Sequence, residues 1–340
     1  MKNTLTTLFL LMVATGSMVW GFVILYHHPE QLSQIQTTGV VEHATSDDLG
    51  ASKEDENNAT QEVRPVTILF AGDMNFDRHI RQKARQNGYE NILAGTKDVM
   101  RGSDCVFANL EGPVTENASV SEGSAFGSAQ NYQFTFDPQV VDVLKNTHVC
   151  AVNLGNNHMN NFGNEGIRST KKFLEEKGIT YVGDTGSPEE KRFDVLHIGG
   201  MAIGVVNYNA FVPDAREHVF ADLAAVKNES DFVVVYTHWG VEYATQSRSV
   251  ERELAHALID AGSDVIIGSH PHVVQDAEEY NGKQIYYSLG NFVFDQYFRP
   301  ETQKGLMVGV TFDKEHDTLT FREHTVCMKN TGQTVVCDAK

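Results

Sequence analysis

What most restricts the fold of this chain is a series of short aliphatic runs that each stop on the same kind of residue. "VTILFAGD" (66–73), "DCVFANLE" (104–111), "HVCAVNLGNNH" (148–158), "MAIGVVNYN" (201–209), "DFVVVYTHWG" (231–240), "DVIIGSH" (264–270) and "QIYYSLGN" (284–291) read as strands. Between them, 163–178, 214–228 and 249–262 carry helical spacing, and the first and third stop at glycine, which tolerates the left-handed backbone of a helix end. Alternating strands and helices predict an α/β layered domain. The last two runs, around 305–313 and 317–327, have no helix between them and read as an antiparallel pair.

Five strand exits deliver groups able to hold a metal: Asp73, Glu111, Asn157 with His158, His238, and His270 with His272. In α/β sheets, ligands gather beyond the carboxyl ends of the strands, so residues spread over some 200 positions are expected on one rim. Carboxylates, imidazoles and an amide suit zinc, manganese or iron and not copper(I) or an iron–sulfur cluster. Each residue alone has a simpler reading. Asp73 and Asn157 are good helix caps, and a single histidine after a strand is usually a surface residue. Five in succession are harder to explain as caps. His270 and His272 flank Pro271, and an extended segment there would send both imidazoles to the same side.

The formal charge of −18 excludes nucleic-acid binding, which needs clustered Lys and Arg, and it leaves any acidic substrate dependent on local cations. The four cysteines lack zinc-ribbon spacing. Cys105 and Cys150, inside strand-like runs, read as buried thiols, while Cys327 and Cys337 are close enough in sequence to pair outside the cell.

Three regions follow from the patterning. Residues 1–26 contain the charge-free run from Leu5 to Tyr26, long enough to cross a hydrocarbon core of roughly 30 Å and too long for a signal-peptide core. Trp20 and Tyr26 sit toward its outer end, Lys2 precedes it and an acidic flank follows. The reading is one uncleaved transmembrane helix, N-terminus cytoplasmic and body outside the cell. Residues 27–64 are polar, acidic and poor in aromatics, as expected of a flexible tether. Residues 65–340 form the folded domain.

The motifs GD, NLEG, NNH, THWGVEY, GSHPHV and YSLGNFVFDQ resemble the CapA/PgsA family of capsule-synthesis proteins, over about residues 66–298. That family belongs to the calcineurin-like metallophosphoesterases and is associated with bacterial poly-γ-glutamate synthesis and export. The resemblance implies a four-layer αββα sandwich with a dinuclear site between its sheets. It places Asp73 and His272 on one divalent metal, Asn157, His238 and His270 on the other, and Glu111 across both. His158 would be the catalytic proton donor or oxyanion stabiliser. Asn75 stands where such phosphoesterases usually carry histidine, and Asn109 where the bridging aspartate is usual. Arg78, Glu242 and Asn291, with Asn75 and Asn109, are the candidates for contacting substrate or steadying the ligands. Trp239 and Asp295 are weaker candidates for the same rim.

Three function classes remain at this stage. One is a membrane-anchored extracellular component of poly-γ-glutamate capsule synthesis or export, working beside membrane-bound synthase subunits on that or another anionic polymer, as hydrolase, transferase or scaffold. Another is a stand-alone cell-surface hydrolase, metal-dependent, cutting a phosphoester or γ-glutamyl amide bond. The third is a binding module without turnover.

Overall fold

A computed structural model describes residues 64–187 and 190–337. The expected anchor (1–26) and all of the tether (27–64) but Arg64 lie outside them. Among the described residues, no helix is long and apolar enough to cross a membrane.

Two sheets face each other. The first holds β1 (Val66–Met74), β2 (Cys105–Leu110), β3 (Val149–Asn153), β4 (Thr180–Val182), β11 (Asn291–Val293), β12 (Lys304–Asp313), β13 (Thr318–Met328) and β14 (Thr334–Val336). Its order is β14-β13-β12-β1-β2-β3-β4, with β1 to β4 parallel and β12–β13 the expected antiparallel pair. The second holds β5 (Phe193–Ile198), β6 (Met201–Asn209), β7 (Phe232–His238), β8 (Val265–Ser269), β9 (Ala277–Tyr280) and β10 (Lys283–Tyr286), in the order β5-β6-β7-β8-β10-β9. Helices α1 (Arg78–Asn87), α2 (Lys97–Arg101), α3 (Gln139–Asn146) and α4 (Gly163–Glu176) serve the first sheet, and α5 (Ala215–Val226) and α6 (Ser249–Ala261) the second.

Strand alternation sorts the side chains into three cores. Ile68 and Phe70 of β1 meet Val205, Val234 and Tyr236 between the sheets. Leu69 and Ala71, on the opposite face, pack under Ile80, Val140 and Ile167 from the helices. Val206, Val233 and Val235 pack under Leu223 and Leu258. The layers are therefore helix, sheet, sheet, helix. The Tyr236 hydroxyl ties the sheets together by donating to the Ala71 carbonyl at 2.8 Å.

Register fixes the site. Asn291, Asp73, Asn109 and Asn153 are successive partners across β11, β1, β2 and β3. Asn209, His238 and Ser269 are partners across β6, β7 and β8. Both rows lie at the carboxyl ends of parallel strands, except that Asn291 opens β11.

Several expectations change. The run 148–158 is a strand only to Asn153, and the rest is a turn that carries Asn157 and His158. The run 284–291 splits: β10 belongs to the second sheet, and the chain crosses at Gly290 (φ 69°) to place β11 in the first. Cys105 and Cys150 are a disulfide and not free thiols, because their strands are neighbours that bring the Cα atoms to 5.4 Å. Cys327 and Cys337 are also paired. The cap of α1 is Asp77, whose carboxylate accepts from the Arg78 amide, which leaves Asp73 for the site. The His270–His272 segment is a bend and not extended, with both histidines at positive φ, 99° and 58°.

Candidate metal centre

Asp73, the second-last residue of β1, is fully buried. Its Oδ1 accepts from Asn109 Nδ2 at 2.8 Å, and its Oδ2 from the His270 amide at 3.1 Å. His272 Nδ1 lies 3.2 Å from the same Oδ2 and 3.0 Å from Asn291 Oδ1. The Asn291 amide group donates to the Thr302 carbonyl, which can only accept, so Asn291 turns its oxygen toward His272. His272 therefore carries its proton on Nδ1 and presents the Nε2 lone pair, 3.5 Å from Glu111 Oε1. Asp73, Glu111 and His272 have ligand atoms within 4.8 Å of one another and are all buried. Asn291, a candidate for contacting substrate or steadying the ligands, holds His272 Nδ1 here.

Across the sheet gap, His238 Nδ1 is 3.0 Å from Ser269 Oγ, whose proton goes to the Thr237 carbonyl. Ser269 thus asks for the ring proton of His238 on Nδ1, against the donor Asn109 Nδ2 at 3.4 Å from the same nitrogen. His238 Nε2 faces Asn157 Oδ1 at 2.9 Å. In this orientation two lone-pair atoms meet without a proton between them, an arrangement that a shared cation relieves. The ring of His270 packs at 4.8 Å from that of His238 and at 5.9 Å from that of His272. Two acceptor-capable atoms, Glu111 Oε1 and His270 Nδ1, are buried without hydrogen-bond partners, as is Asn75 Nδ2. A carboxylate and an imidazole left open toward each other's neighbours fit a metal ion.

The model of the family described as bacterial capsule synthesis protein PGA_cap matches residues 67–296. The chain belongs to that family. It is 30% identical to the PGA biosynthesis protein CapA of Bacillus subtilis, over 68% of this chain and 64% of that one. It is 30% identical to the capsule biosynthesis protein CapA of Bacillus anthracis, over 69% and 61%. The match thus spans just under two thirds of the length of either relative. A phosphatase from Mycoplasma pneumoniae overlays 78% of this chain and 95% of its own at 16% identity, with a TM-score of 0.49, too loose an overlap to speak for chemistry.

Within this PGA_cap domain the electrostatics follow from burial. Glu111 is pushed well above the usual carboxyl range by burial first, then by the charges of Asp73 and Glu242. Burial depresses all three imidazoles that follow: His238 well below its usual value, His270 to about 3 and His158 to about 4. His158 Nδ1 is 3.2 Å from Asn161 Oδ1, an oxygen that also accepts from the Phe134 amide, so its proton is on Nδ1. Its Nε2 lone pair faces Glu111 Oε1 at 4.0 Å. A neutral imidazole in that tautomer takes up a proton first and donates one only afterwards.

The remaining candidates separate. Asn109 is the centre of an amide network, donating to Asp73 and accepting from Asn153 and Asn156 at 2.9 and 3.0 Å. Asn75 accepts from the Asp77 amide at 3.0 Å. Arg78 pairs with Asp295 and lies over the rings of Phe134 and Phe294, 5.0 and 5.4 Å from their centroids. Glu242 is exposed, and its acid group meets Tyr243 and not a site histidine. Trp239 packs in the outer core and donates to the Tyr287 carbonyl. Sequence reasoning missed Asn161, Phe134, Tyr243 and Phe211, whose ring lies 4.5 Å from that of His270 and 5.7 Å from that of His238. Of these, only Asn161 had a signal, standing three residues after His158 in "NNHMNN".

Proposed function

We propose that this chain serves poly-γ-glutamate capsule synthesis at the bacterial cell surface by metal-assisted cleavage or transfer at a γ-glutamyl bond of the polymer. Family membership and the names of the Bacillus relatives support the capsule role. The observation that carries the chemical part is the buried group Asp73, Glu111 and His272, with Glu111 Oε1 unpartnered. Those three residues would hold one divalent cation, and Asn157, His238 and His270 a second, of manganese, zinc or iron. Bound there, a cation supplies positive charge that polarises a carbonyl oxygen and acidifies water.

The chain's own residues do the rest. His158 Nε2 takes the proton of the attacking nucleophile and later returns it to the leaving amine. Asn161 holds that ring in the required tautomer, and Phe134, 4.4 Å from its centroid, shuts out water on one side. A pure scaffold has no use for an imidazole so held. The run Leu5–Tyr26 would anchor the chain beside membrane-bound synthase subunits. Two disulfides among the described residues agree with a body outside the cytoplasm.

The test uses the full chain in mild detergent, purified without chelators. Elemental analysis should find about two metal equivalents, as a paired-cation site requires, and fewer in Glu111→Gln. Mass spectrometry should show γ-linked glutamate oligomers cut or joined by wild type and left intact by His158→Ala with its metal retained. Polymer turnover unchanged by His158→Ala, or no metal bound by folded protein offered all three ions, overturns the chemical reading. Cleavage of a simple phosphodiester with oligomers untouched would assign the site to phosphoesters instead.

A further inference from the structure

His272 lies between two aromatic rings that each carry a guanidinium. On one side Phe294, 4.9 Å from the His272 ring, supports Arg78. On the other Tyr243, 6.3 Å from His272, supports Arg299 at 5.2 Å. Arg78 is already committed, through its ion pair with Asp295. Arg299 is exposed and has no carboxylate partner among the described residues, in a chain whose net charge is −18. Other exposed arginines, such as Arg101 and Arg322, also lack a carboxylate among the described residues, so it is the seat on Tyr243, whose ring neighbours that of His272, that sets Arg299 out for an anion brought by something else.

The platform beneath it is built. Tyr243 stands at φ 66°, a backbone conformation that a bulky residue adopts only when its surroundings impose it. Its amide donates to the Pro271 carbonyl at 2.8 Å, between the two site histidines, so the ring moves with the site and not with the surface. Phe298 meets Tyr243 edge-on at 5.4 Å, and Phe126 meets Phe298 at 6.2 Å. These two rings are 49% and 81% exposed, so they form an apolar ledge continuing outward from Arg299.

We propose that Arg299, carried on Tyr243, binds a carboxylate of the polymeric substrate outside the metal cluster. The inference rests on the function proposed above and names the residue that reads the polymer's charge. A γ-linked glutamate chain offers a carboxylate at every unit, separated by methylenes. The carboxylate suits the guanidinium, and the methylenes suit the Phe298–Phe126 ledge.

The test compares Arg299→Gln with wild type, as full chains in detergent with metal supplied, binding a fluorescent γ-linked glutamate decamer. Arg299 lies outside the metal cluster, so melting temperature and metal content should stay unchanged. The variant should bind about tenfold more weakly, the usual effect of losing a hydrogen bond to a charged group. Its affinity should also depend less on salt, a readout that a merely structural role would not move. Arg299→Lys should recover part of the affinity, because charge is kept and the planar fork is lost. Equal affinity and equal salt dependence in Arg299→Gln overturns this inference alone. A wild type that binds no decamer at any salt overturns the functional reading, and this inference with it.

Discussion

Replacing Glu111 by Gln should have opposite effects with and without metal. Glu111 is fully buried beside Asp73, its Oε1 has no hydrogen-bond partner, and Oε2 meets Asn109 Nδ2 at 3.4 Å. At pH 7 the metal-free fold must either hold two adjacent carboxylates or take up a proton. A group whose folded pKa is raised contributes stability below its unfolded pKa and loses it as pH rises through the folded one. Gln removes that loss, keeps an oxygen toward Asn109 and can turn its amide toward the His272 Nε2 lone pair. A buried acceptor left unmatched costs about 1–3 kcal/mol, so chelated Glu111→Gln should be more stable than chelated wild type by that order. For a folded body of this size that is a rise of roughly 2–5 °C in melting temperature. The advantage should vanish toward pH 4, where the wild-type carboxyl is protonated in both states. With a divalent cation at about a thousand times its dissociation constant, wild type gains about 4.1 kcal/mol and the variant, lacking the ligand, much less. The order of melting temperatures therefore reverses on adding metal. Thermal unfolding of both proteins with chelator and with manganese, zinc or iron reads this directly. A chelated variant that melts below chelated wild type would refute the reasoning, as would a wild type unmoved by every ion.

Chelated Glu111→Gln, which lacks the opposing gain from protonating the raised Glu111 carboxyl, should lose stability on acidification from about pH 6.5 to 4. The depressed His158 and His270 stay neutral in the fold while the unfolded chain gains protons, and for His158 the fall from 6.5 to about 4 corresponds to about 3 kcal/mol. Denaturation midpoints flat across that window would contradict the burial of these rings. Replacing Cys105 and Cys150 together by Ala opens a 45-residue loop and should cost about 4 kcal/mol in urea unfolding. The same change at Cys327 and Cys337, 10 residues apart, should cost about 3 kcal/mol, and the reverse ranking would count against the loop-entropy account. A methyl group on Gly72 would stand 1.8 Å from the Gly290 carbonyl oxygen, a backbone atom that cannot yield alone. Gly72→Ala should therefore destabilise by about 3 kcal/mol or more and lower metal content, and a variant with normal melting and full metal would show that β11 is not held as described.

The sequence announced the rim but not the sheets. Asp73, Glu111, His158, His238 and His270 were legible because each follows an aliphatic run, and parallel strands bring such exits together whatever their order. Which strands are neighbours was not legible, since pairing is decided by contacts between distant segments. That one unknown accounts for the misread cysteines: Cys105 and Cys150 pair only because β2 and β3 are adjacent. It also accounts for Asn109, which in sequence is a substitution at a ligand position. In the register Asp73–Asn109–Asn153 it becomes the amide that orients one carboxylate and passes hydrogen bonds toward Asn207.

The His-Pro-His segment shows where the local rule fails and what replaces it. Alternation along a strand would give two imidazoles on one side with no further cause. Here both residues sit at positive φ, where L-residues rarely go, so the backbone alone does not favour the arrangement. It is held from outside the segment. The His270 amide donates to Asp73, the Pro271 carbonyl accepts from Tyr243, and His272 Nδ1 is fixed between Asp73 and Asn291. Those anchors come from β1, β11 and the turn after β7. Two strained histidines are thus kept at the centre by two strands of the first sheet and a turn of the second, and their aim depends on the sandwich being closed. A candidate metal site of this kind is a property of the assembled fold, which explains why its residue types are readable from sequence and its geometry is not.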